Sequence, residues 1–430
     1  MNKLKKMSPA RFLALGFACV ILLGAIVLYL PYTHNEGVEV KFIDALFTAT
    51  SAVCVTGLIA IDTADTFNII GQAVVAILIQ IGGLGVASVG VSFILLARKK
   101  VDFKDRILVK EALGLGSMKG IVKLVKAILM MTLCFEGAGA FLSFFVFVQD
   151  YPLLKAIWMS IFHSVASFNN SGFDIIGGYQ NLIPYQSNIL LNLTTSGLII
   201  FGGLGFIVIK EVLYKKSFKK LSLHSKVVII MSSLLMIIGT ILIKFTEKIS
   251  WLGAFFFSTS ARTAGFSTYS VGNFTSAGLF VLIVLMFIGA SPGSTGGGIK
   301  TTTFFAMLKG SLSISTNRKS TCFKRKLPND LITKAFTVTF LAISLVCINT
   351  YLLIILEPQY SFIQLFFEVV SAFGTVGLST GITPDLNPIS VTIIILTMYV
   401  GRIGPLTIAS IWSFKQISNI DYSEESINIG

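Results

Sequence analysis

The sequence predicts an all-α integral membrane protein in which a spanning helix, a short re-entrant helix and a returning span recur four times, giving eight crossings around a path. Three observations carry this reading. The 430 residues are 54% apolar, 12% aromatic and only 13% charged, with a mean hydropathy of +0.83, which describes a chain whose solvent is mostly lipid. The apolar runs follow one long, short, long pattern four times over. Finally, residues 289–303 interrupt an apolar run with glycines at 289, 293, 296, 297 and 298 and a proline at 292. Backbone of this kind survives at membrane depth only where protein buries it or where it lines a water-filled path.

Taken in order, residues 12–30 follow a basic start and supply the ~20 apolar residues that cross a bilayer. No small-residue cleavage site follows, and Pro31-Tyr32 closes the run, so it reads as a first span and not as a removed signal. Residues 41–51 are amphipathic, with Phe42, Ile43, Leu46 and Phe47 on one face, and run into 52–58. That is too short to cross and reads as re-entrant. Residues 67–97 return, with Gly82-Gly83-Leu84-Gly85 mid-span, where small residues allow close helix approach. In the second copy residues 121–148 span, 151–168 re-enter and 188–209 return, again with Gly202-Gly203-Leu204-Gly205. In the third, 227–243 span, 251–261 re-enter and 279–288 start a return that the glycine-rich stretch interrupts. In the fourth, 331–356 span, 362–373 re-enter and 389–412 return. The expected repeat boundaries are 1–100, 101–220, 221–327 and 328–430.

Charge sets the orientation. The net charge is +14, and residues 1–11, 98–126, 210–226 and 300–334 hold 27 of the 34 Lys and Arg. Basic loops recurring between apolar pairs follow the positive-inside rule, which puts them and both termini in the cytoplasm. Basic and aromatic residues are not interleaved as a nucleic-acid surface requires, so no nucleic-acid partner is expected. Cys19, Cys54, Cys134, Cys322 and Cys347 lack metal or redox spacing.

The short helices end in alignable segments: Thr-Ser-Ala-Val-Cys-Val-Thr-Gly-Leu at 50–58, Val-Ala-Ser-Phe-Asn-Asn-Ser-Gly-Phe at 165–173, Ser-Thr-Ser-Ala-Arg-Thr-Ala-Gly-Phe at 258–266 and Val-Ser-Ala-Phe-Gly-Thr-Val-Gly-Leu at 370–378. Glycine lets successive carbonyls turn toward an axis without a Cβ penalty. Rings of such carbonyls replace the hydration shell of a potassium-sized ion, and the helix before each ring turns its negative end toward the same place. The expected filter is Val55, Thr56 and Gly57; Asn170, Ser171 and Gly172; Thr263, Ala264 and Gly265; and Thr375, Val376 and Gly377, with K+ held by backbone oxygens.

On Ala264-Gly265-Phe266 after Arg262-Thr263, on the broken stretch Ser291-Pro292-Gly293-Ser294-Thr295-Gly296-Gly297-Gly298 and on Gly401-Arg402-Ile403-Gly404-Pro405, the chain resembles the Trk/Ktr/HKT superfamily of potassium transporters, in particular the membrane subunit of bacterial Ktr-type systems. The resemblance covers essentially the whole chain. It implies a pseudo-fourfold pore in the bacterial cell membrane, a homodimer, and a separate cytosolic nucleotide-binding regulatory ring. The basic loops 98–126 and 318–326 are expected to face that ring, with anionic lipid as the other partner. No cofactor is implied; Na+ is a candidate activator, and serine at the Gly57 position is associated in the family with sodium passage.

The expected gate comprises Gly289, Ser291, Pro292, Gly293, Gly296, Gly297, Gly298 and Lys300, the least restrained backbone in the membrane region, together with Arg402. A charge inside an apolar span should face protein or water. Arg262 is expected to brace the third filter segment, with Glu368 as candidate partner. Asp44, Glu136 and Asp174 are candidates either to gather cations outside or to serve as caps or packing hydrogen-bond partners, and His163 is read as a satisfied helix-end histidine. Residues 293–301 miss the phosphate-loop pattern because Ile299 precedes Lys300, and 114–120 miss the dinucleotide spacing by one residue. No catalytic set appears, so an enzyme is not expected. The other reading carried is a sodium- or proton-coupled secondary transporter, which also uses repeats and broken helices.

Overall fold

The computed structural model describes residues 8–96, 101–112 and 120–410. Residues 1–7, 97–100, 113–119 and 411–430, on which some of the expectations above fall, lie outside them. The first repeat comprises α1 (Pro9–Tyr29), α2 (Phe42–Cys54), the single turn α3 (Thr63–Thr66), α4 (Ile69–Leu84) and α5 (Val86–Leu96), followed by α6 (Phe103–Ala112). The second comprises α7 (Ile121–Phe147), α8 (Leu153–Phe168), α9 (Ile189–Leu204) and α10 (Phe206–Lys215). The third comprises α11 (Leu223–Thr246), α12 (Trp251–Ser260), α13 (Ser276–Phe287) and α14 (Thr301–Ser315), and ends in a small hairpin of β1 (Thr321–Cys322) and β2 (Arg325–Lys326). The fourth comprises α15 (Asn329–Leu356), α16 (Phe362–Gly374), α17 (Pro388–Ile403) and α18 (Pro405–Ser410).

The four long helices α1, α7, α11 and α15 are each long and apolar enough to cross a membrane. Much of their surface is apolar and exposed, as at Leu22, Leu23, Leu133, Phe141, Ile237 and Phe340, which suits a wall facing lipid. The short helices α2, α8, α12 and α16 are instead sunk in the centre, where Phe47, Phe162, Phe256, Phe257 and Phe367 are fully buried.

The return helices begin alike. Asn68, Asn188, Thr275 and Asn387 cap α4, α9, α13 and α17, each side chain accepting from N–H groups of the first turn. They also end alike, and here the structure corrects the sequence reading. Only the third return was expected to break, yet 67–97, 188–209 and 389–412 break as well, at Gly85, Gly205 and Gly404. These glycines take φ of 81°, 93° and 96° with ψ of 135°, 137° and 136°, a backbone closed to residues with a Cβ. The axis turns by 100° from α4 to α5 and by 98° from α9 to α10. In the third repeat a loop, residues 288–300, replaces the single glycine.

Contacts between repeats run in a circle. α4 packs on α8 of the second repeat, α9 on α12 of the third, α13 on α16 of the fourth, and α17 back on α2 of the first. Within three repeats a glycine near the end of the return seats it directly on the short helix. A β-carbon on Gly82, Gly202 or Gly401 would strike the carbonyl oxygen of Val53, Phe168 or Phe373 at the end of the short helix.

Candidate functional site

The four short helices bring their C-terminal ends together. Just beyond them Val55, Asn170, Thr263 and Thr375 adopt φ of 58°, 60°, 73° and 49°, and two residues later Gly57, Gly172, Gly265 and Gly377 adopt 89°, 70°, 78° and 94°. Left-handed backbone at a β-branched residue is strained and persists only where surroundings hold it.

Those surroundings are the pore helices. Thr56 N donates to Ser51 O at 2.8 Å, Ser171 N to Ala166 O at 2.9 Å and Val376 N to Ser371 O at 2.9 Å. The Gly57 and Gly377 amides donate to the hydroxyls of Ser51 and Ser371, each at 3.0 Å. Ser51 Oγ in turn donates to Leu58 O at 2.7 Å, and Ser260 Oγ to Phe266 O at 2.5 Å. The sequence reading saw small residues at these serine positions but not their hydrogen bonds.

The glycines form a closed ring. A β-carbon on Gly57 would strike Ser171 O; on Gly172 it would lie 2.7 Å from Ala264 O; on Gly265 it would strike Val376 O; and on Gly377 it would strike Thr56 O. Each repeat therefore touches the next, and the fourth touches the first. The carbonyls of Thr56, Ser171, Ala264 and Val376 accept no hydrogen bond among the described residues. Buried carbonyls are almost always paired; these four unpaired oxygens are acceptors of the kind that can coordinate a cation without any side chain. The side chains of Val55, Thr56, Asn170, Ser171, Thr263, Ala264, Thr375 and Val376 are all buried. On one side of the ring a cavity of about 440 Å³ is lined by Gly265, Gly377, Tyr179, Asn181 and Asp385. A second cavity, of about 180 Å³, is lined by Gly83, Gly293, Gly296, Lys300 and Arg402.

The glycine-rich loop sits against the ring segments at Thr263 and Thr375. Its free backbone is tied on three sides, contrary to the expectation that it is the least restrained stretch. Ser291 N and Thr295 N donate to Gly203 O and Gly202 O at 3.1 and 3.3 Å, and Phe206 N donates to Gly293 O at 3.0 Å. Gly297 N donates to Thr375 Oγ1 at 3.0 Å. Lys300 Nζ folds back on Gly296 O at 2.6 Å, and the hydroxyls of Ser291 and Thr301 meet at 3.0 Å. Its glycines serve close approach: a β-carbon would strike Thr263 Oγ1 from Gly296, lie 2.5 Å from Thr375 Oγ1 at Gly297, and lie 3.2 Å from Gly374 Cα at Gly298. Gly289 likewise faces Gly297 O, and Pro292 O lies beside Gly205. Arg402 donates to Thr295 O in this loop and to Gly82 O at the end of α4.

Other candidates fall elsewhere. Arg262 does not pair with Glu368; its guanidinium donates to Ser232 O at 3.1 Å and Ser232 Oγ at 3.3 Å. Glu368, fully buried, accepts from Ser379 Oγ at 2.7 Å, Thr380 N at 2.8 Å and Thr383 Oγ1 at 2.9 Å. It thereby pins the chain just after Gly377. Both were misassigned because their partners lie on segments whose approach no local pattern announces. Glu136 is not at an outer surface: it is buried in α7 and accepts from Asn169 Nδ2 at 3.0 Å. His163 lies inside α8, not at its end, buried and 2.8 Å from Thr195 Oγ1. Asp44 sits in the first turn of α2. Asp174, in the loop after the second filter segment, accepts from Ile176 N and Asn181 Nδ2, each at 3.0 Å. Burial lifts its pKa from 3.8 to about 7. Asn181 was missed altogether, since a lone asparagine in a loop carries no signal in sequence.

Comparison with known proteins follows the same architecture. The family described as "TrkH: Cation transport protein" matches residues 23–419. The chain is 40% identical to the Potassium/sodium uptake protein NtpJ of Enterococcus hirae, over 99% of this chain and 98% of the relative. It is 36% identical to the Ktr system potassium uptake protein B of Bacillus subtilis, over 99% of this chain and 97% of the relative. Among solved structures it is similar to the potassium transporter TrkH from Vibrio parahaemolyticus, with a TM-score of 0.72, 19% identity, and coverage of 93% of this chain and 84% of that one.

Proposed function

The chain belongs to the TrkH family of cation transport proteins, and from that premise we propose that it is the ion-conducting subunit of a potassium uptake system in a bacterial cell membrane. The observation that carries this reading is the closed ring of Gly57, Gly172, Gly265 and Gly377 with the unpaired carbonyls before them. Such a ring replaces the water shell of a dehydrated potassium ion. Residues 289–303, with Arg402, act as the gate on the inner side. Loop carbonyls held by a guanidinium block the path, and a fixed cation there opposes entry of another.

In this reading the inner cavity and both termini face the cytoplasm, which the positive-inside distribution of the basic segments supports. A separate nucleotide-binding ring docks there and favours the open arrangement, and the chain works as a homodimer. The relatives named for a Ktr system support a multi-component assembly. The test is potassium flux into liposomes holding the purified chain, measured with and without a sodium gradient. Potassium-dependent flux without a sodium gradient is expected; a strict requirement for the gradient would favour coupled transport. That second reading has one observation behind it, the 40% identity to a relative named for potassium and sodium uptake.

A further inference from the structure

The outer loop of the second repeat reaches across three repeats. Gly178 N donates to Asp65 Oδ2 at 2.9 Å and Tyr179 N to Asp62 Oδ2 at 2.8 Å, both in the first repeat. Leu182 N donates to Ser267 O at 3.0 Å in the third. Asn181 sits between these contacts with φ of 51°, a left-handed conformation that asparagine adopts more readily than most residues.

Its side chain is saturated. Nδ2 donates to the carbonyl of Gly172 at 3.1 Å and to Asp174 Oδ2 at 3.0 Å. Oδ1 accepts from Leu182 N and from Ser267 N, each at 3.0 Å. A carboxamide has two N–H donors and two acceptor lone pairs, so every one of its hydrogen-bonding positions is used. This fixes the amide from both sides of the boundary between the second and third repeats.

That boundary is where two filter segments meet. A β-carbon on Gly172 would lie 3.0 Å from Gly265 Cα, and Ser267 follows Gly265 by two residues. Asn181 therefore fastens the second segment to the third at the outer end, and it does so through a filter carbonyl. Among the described residues no side chain makes the equivalent bond to the carbonyls of Gly57, Gly265 or Gly377. The outermost ring thus has three untethered oxygens and one whose direction is set from outside the ring.

We propose that Asn181 is a positioning residue for ion selection: by holding the Gly172 carbonyl it keeps the outer ring at a size that suits potassium and resists closing onto sodium. This rests on the filter reading given above. A tethered carbonyl resists following a smaller ion inward, whereas a released one is free to do so.

The test uses the full chain in liposomes, with potassium and sodium uptake measured separately and in competition, for the parent, Asn181→Asp, Asn181→Ala and Gly172→Ser. Asn181→Asp keeps an oxygen for the Leu182 and Ser267 amides but has no N–H for Gly172. It should retain potassium uptake within about twofold while the preference for potassium over sodium drops about fivefold. Asn181→Ala should lose at least as much preference, with lower uptake. A preference unchanged in Asn181→Asp, or uptake of both ions falling in the same proportion as a purely structural role requires, overturns the assignment. If Gly172→Ser alters preference and the Asn181 variants do not, the filter reading stands and this inference fails; if none alters it, both fail. Should Asn181→Ala not fold, Asn181→Asp alone decides.

Discussion

Arg402, in the last turn of α17, donates to the carbonyl of Thr295, 107 residues earlier in the chain, and so joins the fourth repeat to the broken return of the third. Its second hydrogen bond, to Gly82 O, brings in the first repeat. One guanidinium therefore holds the glycine-rich loop at the point where three repeats meet. Replacing Arg402 with alanine should free the loop and remove the fixed charge, raising potassium flux several-fold without any regulatory partner. Removing residues 294–297 takes away Thr295 O and should act in the same direction. A dimeric, well-folded variant that conducts no faster than the parent in liposomes of matched protein density would count against the gate.

Gly57 combines φ of 89° with the absence of space for a β-carbon beside Ser171 O. Serine there must push back the neighbouring carbonyl and strain its own backbone. Gly57→Ser should lower the preference for potassium over sodium, read as the ratio of the two uptakes in competition. An unchanged ratio would remove Gly57 from the filter.

Glu368 is completely buried and its carboxylate accepts from Ser379, Thr380 and Thr383. Hydrogen bonds to a charged group each contribute about 1.5–3 kcal/mol, and unpaired buried donors add to the cost of losing them. Glu368→Ala should therefore destabilise the fold by about 3 kcal/mol or more, seen as a lowered Tm in detergent, with Glu368→Gln losing less. Equal Tm values for Glu368→Ala and the parent would show that the loop 379–383 is held by other means.

Asp174 supplies a pH dependence. Burial lifts its pKa from 3.8 to about 7, with the Asp62 charge adding to the rise and the hydrogen bonds from Ile176, Gly177 and Asn181 opposing it, so the folded chain binds this proton more tightly than the unfolded one. Its contribution to stability is complete below about pH 4 and is lost as pH rises through 7. The Tm of the parent should fall across that window relative to Asp174→Asn, which has no such proton to lose. Parallel Tm profiles for the two proteins between pH 4 and 8 would exclude this linkage.

Much of this protein was determined by the sequence alone, because the relevant signals are local. Hydropathy and length mark the long helices and the short buried ones, and a glycine three to five residues beyond each short helix marks the four ring segments. Basic residues mark the loops between them. These patterns need no knowledge of neighbours in space. The tertiary structure decided what depends on them. Gly82-Gly83-Leu84-Gly85 reads equally as a packing motif inside a straight span or as the end of a helix; only the positive φ that Gly85 takes in the fold makes it a break. The glycines of residues 289–303 read as freedom, yet they are small because Thr263, Thr375 and Gly374 press against them. Arg262 and Glu368 looked complementary by charge, but their partners are Ser232 and the hydroxyls of 379–383. Asn181 is one polar loop residue until the fold sets Gly172 and Ser267 beside it, nine residues back and 86 residues ahead. A sequence specifies which residues bury or turn; which carbonyl meets which donor is fixed only when four repeats close into a ring.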